Sequence, residues 1–65
     1  MKMNSPLYQL FVNGVPQGTP KDDPEFIKEI ADRNQQTEIM WFPMQGIEWA
    51  IVNREMYQIA CVQHG

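Results

Sequence analysis

The chain has 65 residues, with eight acidic against five basic side chains, a formal charge of −3 at pH 7, one cysteine and one histidine. A chain this short has room for one core and buries only about 60% of the surface that its unfolded form exposes; its single cysteine excludes an intramolecular disulfide, and Cys61 with His64 falls short of the roughly four ligands of a structural zinc site. No run approaches the roughly 20 apolar residues that span a bilayer, none has the length of a secretory leader, and the acidic balance disfavours a phosphate-driven nucleic-acid binder.

These bounds predict one cytoplasmic α+β domain without cofactor or metal, with residues 1–6 and 63–65 as tails. Tyr8 to Val12 alternates with period two into Asn13-Gly14, the dipeptide that most readily adopts the positive φ angles of a type I′ turn. A hairpin is expected there. Its second arm, from Val15 to about Gly18, contains Pro16, which cannot donate to a ladder, so that arm should be short and lie at an edge.

After the punctuation of 18–22, Asp23-Pro24 is a strong helix start, an N-cap acceptor followed by proline at the first helical position. Phe26, Ile27, Ile30 and Ala31 fall on one face of that helix and Glu25, Lys28, Glu29, Asp32 and Arg33 on the other. Asn34, with Gln35 and Gln36, marks the stop. Three to four turns are marginal alone, so the helix should be stabilised by docking its apolar face on a sheet.

From Thr37 onward the composition turns β-branched, aromatic and aliphatic, broken at 43–46 and at 53–55. Strands are expected at about 37–42, 47–52 and 56–62, joined as an antiparallel meander. The order is then β-β-α-β-β-β, an antiparallel sheet with one helix packed on one face.

A four-residue loop that pairs Phe42 with Ile47 sets Met40 opposite Trp49 and Glu38 opposite Ile51. With a three-residue loop at 53–55, Tyr57, Ile59 and Cys61 join that face, which should meet the helix. A four-residue loop through Met56 exchanges the last strand's two sets of side chains. In either register the opposite face carries Ile39, Trp41, Glu48, Ala50 and Val52 together, an apolar surplus that one helix cannot also cover. Such a surplus marks an interface, with Trp41 as its anchor, unless the N-terminal hairpin folds over it or the strands curl to enclose both faces.

Asp22, Asp23, Glu25, Glu29 and Asp32 place five of the eight acids within eleven residues. Capping and a solvated helix face account for most of them; the sharper alternative is an acidic decoy that occupies a nucleic-acid-binding groove. Cys61 and His64 lack an orienting third group and oxyanion donors, so no nucleophilic machinery is expected. Cys61 reads as a small buried hydrophobe and His64 as a tail residue. The expectation is a non-enzymatic module that binds a larger protein or itself as a homodimer, in the manner of small inhibitors encoded by phages or mobile elements. Neither nucleic acid nor membrane is the expected partner.

Overall fold

A computed structural model of the chain describes residues 5–63. Most of the expected N-terminal tail, together with His64 and Gly65, lies outside the described residues. Strand β1 spans Leu7–Val12 and β2 spans Val15–Lys21, and the helix α1 follows at Pro24–Gln35. Three further strands complete the chain: β3 at Phe42–Met44, β4 at Ile47–Val52 and β5 at Glu55–Gln63. This is the expected α+β order, and all five strands form one antiparallel sheet in the spatial order β2-β1-β5-β4-β3.

The three hairpins share one device, a two-residue turn with both central residues at positive φ. These pairs are Asn13 and Gly14 (53° and 82°), Gln45 and Gly46 (54° and 80°), and Asn53 and Arg54 (51° and 67°). Such turns match the right-handed twist of the strands they join. In each, the residues flanking the turn face one another: Val12 and Val15, Met44 and Ile47, Val52 and Glu55.

The prolines fit this scheme. Residues that flank a two-residue turn exchange hydrogen bonds, so the next pair outward is a non-bonded one. Pro16 opposite Phe11 and Pro43 opposite Glu48 occupy those positions, and their nitrogens face the open edge, where no ladder donor is required. Pro43 is therefore a strand residue rather than a strand breaker.

At the helix start, the Asp23 side chain accepts the Glu25 N–H at 3.0 Å, with Pro24 in the first turn. The helix ends in a Schellman motif: Gln36 sits at φ 56°, its N–H bonds to the Arg33 carbonyl at 3.2 Å, and the Thr37 N–H bonds to the Asp32 carbonyl at 3.1 Å, which satisfies carbonyls the helix would otherwise leave open. Asp32 then catches the chain a second time, its Oδ1 accepting the Ile39 N–H at 3.0 Å. Held there, Ile39 is buried in the core. That is why the strand expected over 37–42 is replaced by an irregular segment followed by a three-residue strand at 42–44.

The core consists of Leu10, Ile27, Ala31, Ile39, Ala50, Val52, Tyr57 and Ile59, with Tyr8, Val12 and Trp41 packed against it. Ile27 and Ala31 come from the helix. The 37–41 segment supplies Ile39 and Trp41, so helix and segment together cover one side of the sheet. Gln35 at the helix end donates to the Tyr57 hydroxyl and accepts from Asn53 Nδ2 at 2.8 Å, which ties α1 to β5 and to the last turn.

Candidate protein-binding face

Residues directly opposite in an antiparallel ladder share a face. Applied across the sheet, the register places Pro43, Glu48, Ile59, Leu10 and Gln17 in one row, and Ala50, Tyr57, Val12 and Val15 in the next. These rows contain the buried strand residues Leu10, Ala50, Tyr57 and Ile59 and face the helix. The intervening row, Phe42, Trp49, Gln58, Phe11 and Pro16, runs across all five strands on the other side. Met44 opposite Ile47 and Ile51 opposite Met56 flank it.

This register corrects the expected one. Phe42 pairs with Trp49 rather than with Ile47, because the turn between β3 and β4 holds two residues and not four. The second turn also holds two residues rather than three, which exchanges the face of β5. Hence Ile39, Ala50 and Val52, expected at the surface, are core residues. Trp41 is half-buried, packs edge-on against Tyr57 with ring centroids 6.4 Å apart, and keeps its Nε1 buried without a hydrogen-bond partner among the described residues. Glu48 sits beside the helix with its carboxylate 3.5 Å from Lys28 Nζ. These five residues do lie on one side of the sheet, but it is the covered side.

The apolar surplus is therefore on the other face. Phe42 is 48% exposed, Met44 49%, Ile51 67% and Met56 38%. Phe11, Ile47 and Trp49 are half-buried, and Trp49 donates its indole N–H to the Met44 carbonyl at 3.3 Å. Among the described residues no element lies over this face. The N-terminal hairpin does not fold across it; β1 pairs with β5 along its length and widens the sheet instead.

Charge separates the two faces. The only charged residues within the strands are Lys21, Glu48 and Glu55, which lie opposite Tyr8, Ile59 and Val52 respectively and so belong to the helix side. The open face, among the described residues, carries no charged strand side chain. It has the composition expected at the centre of a protein interface, depleted in charge and enriched in aromatics and methionine. A two-residue turn at Asn53-Arg54 is what aligns Tyr57 and Ile59 with Ala50 and Val52 and leaves this face open.

The five acids of the alternative reading serve several local ends. Asp23 caps the helix, Glu25 pairs with Lys28 at 3.2 Å, and Asp32 holds the Ile39 N–H. Asp22 and Glu29 are exposed. Among the described residues no three His, Cys, Asp or Glu side chains are grouped to hold a metal, and no helix is long and apolar enough to cross a membrane. Comparison with family models, curated proteins and solved structures yields no match to this chain.

Proposed function

We propose that this chain is a protein–protein interaction module, a non-enzymatic binder that works by docking the open face of its sheet against protein. One observation carries the reading: a charge-free row of Phe42, Trp49, Gln58, Phe11 and Pro16 crosses the whole sheet and is covered by no element among the described residues. Isolated exposed apolar side chains are ordinary, but a contiguous patch of this kind on a small domain marks an interaction site.

The test is affinity capture from the cells that express the chain, with the wild type and Ile51→Asp as baits. Ile51 is 67% exposed, so its replacement alters the face without disturbing the core. The expected result is a protein, foreign or an untagged copy of the chain, retained by the wild type and lost with Ile51→Asp. Equal capture by both baits overturns the reading.

A further inference from the structure

We propose that the occupant of the open face is a second copy of the chain, the two sheets packing face to face in a symmetric dimer. The inference rests on the docking reading above and names its partner. Three features of the face point to self-association rather than to a partner of other composition.

The first is area. Five strands about 4.8 Å apart and about six residues long at about 3.3 Å each give a face of roughly 24 by 20 Å, on the order of 480 Å² before the relief of its side chains is added. Two copies together remove on the order of 1,000 Å² or more from water, which reaches the threshold for a specific interface. The same area on one copy alone would sit at the upper end of what monomers expose.

Charge is the second. Each chain carries −3, yet among the described residues the strand side chains of the facing surfaces are all uncharged, so their contact brings no like charges together. Sheets packed about 10 Å apart, each backed by a helix layer about 10 Å thick, hold the two acidic surfaces roughly 30 Å apart. That is well beyond the screening length of about 8 Å at physiological salt.

Polar matching is the third. Gln58 is the one polar side chain in the row, and it lies on β5, the middle strand of the five. A two-fold axis through the middle of the face sets Gln58 against its own copy. A primary amide is self-complementary, offering N–H donors and a carbonyl acceptor, so the pair satisfies itself as an isologous interface requires. Edge-to-edge growth is blocked in turn by Pro16 on β2 and Pro43 on β3, whose nitrogens face the open edges.

Sedimentation equilibrium of the full chain over concentrations on the order of 1 to 100 µM tests the proposal. The wild type is expected at twice its 7.6 kDa mass. Ile51→Asp should raise the dissociation constant by at least about 100-fold, because each interface would enclose two unpaired carboxylates. Val15→Asp, at a 57% exposed position on the helix side of the sheet, should leave the dimer intact. Far-UV circular dichroism shows whether each variant is folded, and Phe42→Asp is a second disruptor should Ile51→Asp fail to fold. A wild type that remains monomeric throughout overturns the proposal, as does a dimer that both face variants leave unchanged. A monomer that still captures a foreign protein in an Ile51-dependent way refutes the second copy alone, whereas a monomer without such capture refutes the docking reading as well.

Discussion

Asn13 and Met56 are joined by two hydrogen bonds across 43 residues of sequence: the Asn13 N–H donates to the Met56 carbonyl at 2.7 Å, and the Met56 N–H donates to Asn13 Oδ1 at 2.9 Å. The first turn is thereby fastened to the start of β5. One residue supplies the left-handed backbone of the turn and the side chain that fastens it. Asn13→Gly keeps the backbone and removes the acceptor, and should lower unfolding free energy by about 1 kcal/mol. Asn13→Ala also strains the turn, and should cost about 2 kcal/mol or more. Urea midpoints of the two variants separate the contributions.

Arg54 tests the opposite direction. It sits at φ 67° with a full side chain, in a region that costs a non-glycine residue about 1–2 kcal/mol, against the roughly 0.5–1 kcal/mol that glycine loses in chain entropy on folding. Arg54→Gly should therefore stabilise the protein by about 0.5–1 kcal/mol. A midpoint that does not rise would show that the last hairpin is not limited by its turn.

Two isoleucines distinguish the faces of the sheet. Ile39 is 6% exposed and Ile51 67%. Ile39→Ala leaves a cavity beneath the 37–41 segment and should cost about 2–4 kcal/mol, while Ile51→Ala should fall within about 0.5 kcal/mol in a monomer. Denaturation at low protein concentration makes the comparison, since dimerisation would add a concentration-dependent term to Ile51 alone.

Trp41 and Phe42 are adjacent in sequence and lie on opposite sides of the sheet. Trp41→Asp removes a ring from the covered side and leaves a carboxylate there, and should lower stability by about 3 kcal/mol or more. Phe42→Asp should retain the fold and abolish association instead. Circular dichroism melts and sedimentation, run on both variants, should give opposite patterns.

Much of the architecture is legible in local chemistry. Asn13-Gly14, Asp23-Pro24 and the Phe26, Ile27, Ile30, Ala31 stripe are short-range signals, and the first turn and the helix stand where those signals put them, whereas the second arm, expected to be short and to end near Gly18, runs on as Val15–Lys21 through the segment expected as punctuation. The helix face is only partly used. Ile27 and Ala31 are buried, while Phe26 is 45% exposed beneath Lys21 Nζ, 5.8 Å from its ring centroid.

What local chemistry left undetermined was parity. Face assignment in a meander depends on whether each turn holds an even or odd number of residues, and one residue reverses every side chain that follows. The β3–β4 turn holds two residues instead of four, which keeps the parity; the last turn holds two instead of three, which reverses it, and Arg54 is not a typical left-handed residue that would announce a type I′ connection. The Schellman ending of α1 and the Asp32–Ile39 bond are likewise invisible to periodicity, because they divert the chain through backbone geometry. An excess of apolar side chains over what one helix covers was nevertheless evident from composition and alternation, and that excess is present on the face of Phe42 and Trp49.

The position of β5 has a consequence for how the molecule is made. It follows the other four strands in sequence yet is the central one, lying between the N-terminal hairpin and the β3–β4 hairpin. Until Glu55–Gln63 is available, those two hairpins share no ladder, and neither can form the sheet that α1 covers. Synthesis in chain order thus produces first two short hairpins, marginal on their own, that only Glu55–Gln63 unites. Contacts between β1 and β5 span most of the chain, a non-local pairing that slows folding. During that interval the apolar rows of both hairpins are open to solvent, which places the greatest demand for chaperone protection in the stage before Glu55–Gln63 joins the sheet.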